Sequence, residues 1–249
     1  MFVKQGFVIP VYRHIATVGP LTEKLATLGL PIILVDDGNG PEYRDQFAKL
    51  AANTQGITVV SLEKNAGKGG ALARGFEKAA ELGLTHVLQI DADGQHDERQ
   101  VPFFLEESAK HPDMIICGFP QFDETAPKSR VKGRRVSTFW SAVNTLSGEL
   151  KDVLCGFRIY PVEQSLRITR NPFMDRRMGF DAEILVRLYW NKVFPLFYPV
   201  KVSYPEGGIS NFRAVRDTMH LIWMFTRLFL GMLLRLPLLI SFRIKRRNK

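Results

Sequence analysis

Residues 86–95, HVLQIDADGQ, decide how the chain is read. Val87, Leu88 and Ile90 make a short apolar run that reads as a strand buried on both faces. Asp91 and Asp93 follow it at once, one residue apart, with Gly94 as the turn residue. Two carboxylates so placed can reach one hard cation. Mg²⁺ suits such a pair, because it takes one or two carboxylates and fills its octahedron with phosphate oxygens and water. Gln95 offers a neutral oxygen. A solvated acidic turn is the alternative for a D-x-D of this kind, and His96 beside it reads more readily as an exposed loop histidine than as a ligand.

Upstream, the same arrangement recurs. The runs 7–11 (FVIPV), 32–36 (IILVD) and 57–62 (ITVVSL) read as buried strands, as does 113–117 (DMIIC) downstream. Helical spacing lies between them, in Leu21, Leu25 and Leu28, in Phe47, Leu50 and Ala51, and in Leu72, Phe76 and Ala80. Regular alternation of strand and helix predicts a mostly parallel sheet with right-handed crossovers. In such a sheet ligands gather at the carboxyl ends of the strands, and the polar punctuation falls there. Pro10, Tyr12 and Arg13 end the first strand, and Asp36-Asp37-Gly38 the second. Asn65-Ala66-Gly67-Lys68-Gly69-Gly70 follows the third. Asp36 can accept from a ribose hydroxyl or a base N–H, or cap a turn. The glycine-rich segment opens a helix, where bare amides favour phosphate, and Lys68 adds a charge. It is neither a Walker A loop nor G-x-G-x-x-G, since Leu72 stands where the third glycine belongs.

The second half is less regular. A helix is expected over 131–147, strands over 155–160 and 197–203, and helical spacing in Phe180, Ile184, Leu185 and Leu188. Residues 219–242 form an apolar run interrupted by Arg227, Arg235 and Pro237. A central arginine costs about 2.5–3.5 kcal/mol on insertion scales, so helices lying in a membrane interface are expected rather than a span. Two units follow, a domain over 1–212 and an amphipathic, basic interface segment over 213–249.

Lys and Arg number 34 against 25 Asp and Glu, a net charge of +9, concentrated at 128–135 and 243–249. This balance points to an anionic partner. A basic tail after an apolar stretch favours the cytoplasmic face of a membrane. Nucleic acid is not expected, because basic and stacking aromatic residues interleave only weakly, at 134–140. Cys117 and Cys155 form neither a metal-ligand pattern nor a disulfide framework, and no signal peptide is read at the N-terminus. No H-E-x-x-H or G-x-S-x-G occurs, and residues 11–20 lack the glycine- and arginine-rich loop of a nucleotidyltransferase.

With IPVY at 9–12, VDDG at 35–38, NAGKGGALARG at 65–75 and DADGQ at 91–95, the chain resembles family-two glycosyltransferases of the GT-A fold, closest to the polyprenyl-phosphate sugar synthases typified by dolichyl-phosphate mannose synthase. The likeness runs from residue 7 to about 212. It implies an inverting, metal-dependent hexosyltransferase using Mg²⁺ or Mn²⁺. The donor is a nucleoside-diphosphate sugar and the acceptor a polyprenyl phosphate or another lipid at a membrane. It places Pro10, Tyr12, Asp36, Asp37, Lys68, Gly69, Asp91 and Arg213 with the donor, and Asp91, Asp93 and Gln95 with the metal. Asp152, Arg158 of CGFR at 155–158, and Asp181 and Glu183 of FDAEI at 180–184 fall to the catalytic set. GGIS at 207–210 resembles a loop that closes over the donor phosphates. The chain departs from the family at Arg13-His14, where Asn-Glu is usual, at Asn39, where serine is usual, and at Gly118-Phe119-Pro120, where Gly-Ser-Arg would supply a cation. Lys128, Arg130 and Arg134 are candidates to replace that cation at an acceptor phosphate. A hydroxyl-bearing glycolipid or glycan acceptor, and a degenerate scaffold in a membrane complex, stand as alternatives. A hydroxyl needs a carboxylate base, whereas a phosphate monoester is already anionic at neutral pH.

Overall fold

The computed structural model describes residues 2–122, 128–202 and 213–247, without the side chains of 128–130, 214, 243 and 245–247. The glycine-serine loop at 207–210, the Lys128 and Arg130 side chains and most of the basic tail therefore lie outside the described residues.

Seven strands form one sheet in the order β3-β2-β1-β4-β6-β5-β7. They are β1 Gln5–Val11, β2 Ile32–Asp36, β3 Ile57–Ser61, β4 His86–Gln89, β5 Ile115–Phe122, β6 Arg158–Pro161 and β7 Pro195–Val202. The expected α/β class with a mostly parallel sheet is observed. Only β6 runs against its neighbours β4 and β5. The parallel quartet β3-β2-β1-β4 ends its strands on one edge. Because β6 is reversed, its first residue arrives at that edge too, and Arg158 pairs with Gln89. The CGFR segment is thereby delivered beside Asp91.

The apolar runs at 7–11 and 32–36 are buried on both faces as expected. The run at 57–61 is only half-buried, because β3 is an edge strand and solvent reaches one side. Helices α1 Ile15–Ala26, α2 Arg44–Asn53 and α4 Val101–Lys110 close one core, with Phe7, Leu34 and Phe104. Helices α3 Lys68–Glu81, α6 Val162–Thr169 and α7 Phe180–Trp190 close the other. Small residues let α3 lie close to its neighbours. A Cβ on Gly75 would overlap Val8, and one on Gly69 would fall 2.5 Å from the Phe180 ring. Both cysteines are buried and free, with burial pushing their thiols up to about 12.

Three further helices are α5 Lys128–Thr145, α8 Ala214–Leu233 and α9 Leu236–Arg247. Met224, Phe225, Leu228 and Met232 of α8, and Leu239 of α9, are buried in the second core. At about 1.5–3 kcal/mol for each fully buried side chain, the four from α8 alone stabilise by an amount comparable with a whole domain's net stability. The segment expected as an appendage thus carries a core face. Its arginines belong to that face. Arg227 reaches Glu183 at 2.7 Å, and Arg235 lies over the Trp190 ring. The outward face keeps Met219, Ile222, Trp223, Leu230 and Leu233 exposed. Among the described residues, no single helix is long and apolar enough to cross a membrane. The stretches Val215–Leu233 and Leu236–Phe242 would be so together, but they are bent by 79°.

Candidate active site

The strand ends open into a cavity of about 1320 Å³. Its polar part is built on the sheet edge. Pro10 and Tyr12 leave β1, Asp37 leaves β2, Gly67 and Lys68 open α3, and Asp91, Asp93 and Gln95 leave β4; all line the cavity. Its other part is apolar and lies between α5 and α8, walled by Val136, Trp140, Leu154, Leu221, Phe225 and Phe229.

Lys68 is the centre of the polar part. Its Nζ lies 2.8 Å from Asp91 Oδ2 and 2.7 Å from Asp181 Oδ2. Burial works against the ammonium, but Asp181 and Asp91 outweigh it and hold Lys68 well above the usual lysine range. Burial likewise opposes the Asp91 charge, and Lys68 more than offsets it, so Asp91 stays below the usual carboxylate range. Asp93 is raised instead, by burial and then by the neighbouring Asp91 charge. A half-buried carboxylate raised beside a second one is a pair short of positive charge. Among the described residues no three His, Cys, Asp or Glu side chains form a metal cage. Two carboxylates with an amide oxygen still fit Mg²⁺ or Mn²⁺, whose remaining positions are filled by phosphate and water. His96 is half-buried, not an exposed loop residue. Its ring packs 5.4 Å from Phe157, and its buried Nδ1 has no partner among the described residues.

Among the lining residues, Asp37, itself only 2% exposed, accepts from the Ala66 amide at 2.7 Å and from Asn65 Nδ2 at 2.8 Å. Burial pushes it up to about 6, against the Ala66 and Gly67 backbone amides. Asp36 does not line the cavity. It is 2% exposed and is capped by Asn39, whose Nδ2 donates to Asp36 Oδ1 at 2.7 Å and to the Val11 carbonyl at 2.8 Å. Asn39 Oδ1 in turn accepts from the Arg13 amide at 2.6 Å. The unusual Asn39 thus ties the first two strand ends together and holds Arg13 at φ 65°, a left-handed backbone rare outside glycine.

Of the other residues read from the sequence, Asp181, Arg134 and Arg213 line the cavity. Gly69 does not, because it is packed against Phe180; Gly67 takes its place. Asp152 lies behind the wall. Its carboxylate binds Arg134 Nη1 at 2.9 and 3.0 Å and accepts the Leu154 and Cys155 amides. Arg158 is fully buried, donating to the Asp181 carbonyl at 2.6 Å and the Tyr160 hydroxyl at 3.1 Å. Glu183 has no exposure at all. It accepts from the Asp175 amide, Arg187 and Arg227 at 2.7–2.8 Å, so it fastens α8 to α7 and does not face the cavity. The sequence reading missed Arg177 and Arg216, which line the cavity. Arg177 carried a local signal, two arginines in the turn just before the acidic start of α7.

The glycosyl transferase family 2 profile matches residues 7–194. The dolichyl-phosphate beta-glucosyltransferase of Dictyostelium discoideum is 31% identical over 168 residues, 62% of this chain and 49% of that protein. The chain therefore spans about half the length of that relative. The undecaprenyl-phosphate mannosyltransferase of Micrococcus luteus is 24% identical over 195 residues, 72% of this chain and 75% of that one. Among solved structures, glucosyl-3-phosphoglycerate synthase from Mycobacterium tuberculosis in complex with Mn²⁺ and UDP-glucose superposes with a TM-score of 0.63 at 18% identity, over 92% of this chain and 79% of that one.

Proposed function

The chain belongs to glycosyl transferase family 2, and on that premise we propose that it moves a sugar from a nucleoside-diphosphate sugar to a polyprenyl phosphate at a membrane surface, with inversion at the anomeric carbon. One observation carries this reading. A single cavity joins the charged sheet edge around Lys68, Asp91 and Asp93 to an apolar corridor between α5 and α8. A charged donor and an apolar acceptor tail call for those two linings. The names of the two curated relatives, both transferases to polyprenyl phosphates, agree with it.

In the proposed reaction an acceptor phosphate oxygen attacks the anomeric carbon. The bond from that carbon to the diphosphate breaks, and its electron pair leaves with the nucleoside diphosphate. Lys68 and the opening turn of α3 meet the developing charge. Asp91, Asp93 and Gln95 would hold Mg²⁺ or Mn²⁺, which neutralises the diphosphate when bound. A phosphate acceptor is favoured over a hydroxyl by the state of the three candidate bases. Asp181 is paired with Lys68, Asp152 with Arg134, and Glu183 with two arginines. Arg134 lines the cavity and is the described candidate for the acceptor phosphate. The outward face of α8, with Phe139 exposed on α5, would rest in the interface at the cytoplasmic side.

The test is transfer of labelled sugar from a panel of UDP- and GDP-sugars, with Mn²⁺ or Mg²⁺, to polyprenyl phosphate in vesicles. The reading expects a sugar-phosphate-lipid product. Transfer to a hydroxyl-bearing glycolipid, with none to the phosphate, would overturn it. For the membrane, Trp223→Ser with Leu230→Ser should weaken pelleting with anionic vesicles while leaving the fold intact; unchanged pelleting would remove α8 from the interface.

A further inference from the structure

Lys68 is the cation that the sequence offers to the donor diphosphate, but it is already matched twice over. It lies between Asp91 and Asp181, and the three side chains together carry net negative charge. A metal held at Asp91 and Asp93 would meet one side of an arriving diphosphate, and a second protein cation is left to meet the rest of its charge. The turn before α7 brings one. Arg177 is exposed and lines the same cavity, and among the described residues no carboxylate lies within ion-pair distance of it. Its charge is nonetheless felt at the site, where it draws down the Asp37 carboxyl against the larger effect of burial.

Arg177 also sits on the glycine-rich loop itself. Gly67 has φ +81°, and a Cβ there would fall 2.5 Å from the Arg176 carbonyl and 2.9 Å from Arg177 Cγ. The Arg176 carbonyl accepts the Gly70 amide at 3.1 Å. The turn and the loop are thus one packed unit, with backbone touching backbone.

What holds the turn comes from α8. Asp175, buried, accepts the Arg177 amide on Oδ1 at 2.6 Å. Its other oxygen lies 2.6 Å from His220 Nε2. The Asp175 amide donates to Glu183 Oε2, the oxygen that also receives Arg227. His220 and Arg227, two turns apart on α8, therefore grip the same buried turn.

We propose that Arg177 binds the diphosphate of the donor, and that His220 of α8 positions it through Asp175. This rests on the donor reading above. It makes the helix that walls the acceptor corridor also the support of a donor-binding side chain, so seating of α8 and donor affinity are linked.

The full chain is titrated calorimetrically with UDP and with GDP in the presence of Mn²⁺. Uridine and guanosine, followed by ligand-observed NMR, serve as phosphate-free controls. Arg177→Ala should weaken binding of the diphosphate that the unmodified chain prefers by roughly 10- to 100-fold, as expected for a lost charge-assisted hydrogen bond. Nucleoside binding should not change, and Arg177→Lys should recover part of the loss. His220→Ala should weaken diphosphate binding in the unmodified background but not in Arg177→Ala, a coupling that a general structural role would not produce. Equal diphosphate affinity in Arg177→Ala and the unmodified chain overturns the assignment. A His220→Ala effect of the same size in both backgrounds overturns the positioning link. Failure of the unmodified chain to bind either diphosphate overturns the donor reading itself, and this inference with it.

Discussion

Replacing Glu183 by alanine separates a structural carboxylate from a catalytic one. The side chain is without exposure and accepts one amide and two guanidinium groups at 2.7–2.8 Å. Breaking a buried ion pair by removing one partner costs about 3–5 kcal/mol. The two arginines it would strand are 14% and 27% exposed, so water relieves them in part and the lower half of that range is expected. Unfolding entropy near 2.1 cal/mol/K per residue, over 249 residues, gives about 0.5 kcal/mol per degree. Glu183→Ala should therefore lower Tm by roughly 6–8 °C, with Glu183→Gln intermediate because its amide oxygen still serves the Asp175 amide. Differential scanning calorimetry measures this directly. A Tm within about 1 °C of the unmodified chain, together with abolished transfer, would refute the reasoning and return Glu183 to the role of catalytic base.

Asp93→Asn removes a half-buried carboxylate raised by its own surroundings, so Tm in metal-free buffer should hold or rise while the stabilisation given by Mn²⁺ in a thermal-shift assay disappears. Gly156→Ala would place a methyl against the Asp91 carboxylate; transfer should fall at least about tenfold, as expected when a binding group is displaced by an ångström, with a far-UV spectrum unchanged. Asp37 has a folded pKa of about 6 against an ordinary 3.8, so the stability it contributes is full below pH 3.8 and lost as pH rises through 6. Asp37→Asn should flatten urea-derived stability across pH 4–6, and an unchanged slope would show that another group titrates there.

Much of the fold was legible because its signals are local. The parallel strands β1 to β4 are short runs rich in apolar residues, and each polar strand end lies within a few residues of its strand. Right-handed crossover then carries four such ends to one edge without further information. Pro10, Tyr12, Asp37, Lys68, Asp91, Asp93 and Gln95 were found by that rule and line one cavity. What escaped depends on contacts distant in sequence. Asp36 and Asp37 are indistinguishable as neighbours, until Asn39 folds back to cap the first. NAGKGG at 65–70 reads as a phosphate loop, yet its Gly69 serves the close approach of α3 to Phe180, as Gly75 further along α3 serves the approach to Val8. Glu183 sits at helical spacing suited to a surface, and only the arrival of Arg227 from α8 explains its burial. The same pairing accounts for the charge inside the apolar run at 219–242, which faces protein rather than lipid.

On the reading proposed above, the ends of β1, β2 and β4 and the opening turn of α3 together hold one metal-bound nucleoside diphosphate. Anomalous scattering from crystals soaked with Mn²⁺ and UDP-glucose, repeated with GDP-mannose, tests it most directly. A manganese peak is expected at the Asp91 and Asp93 carboxylates, with diphosphate density reaching Lys68 and Arg177. A peak at another place on the molecule, or a nucleotide bound away from that edge, would contradict it.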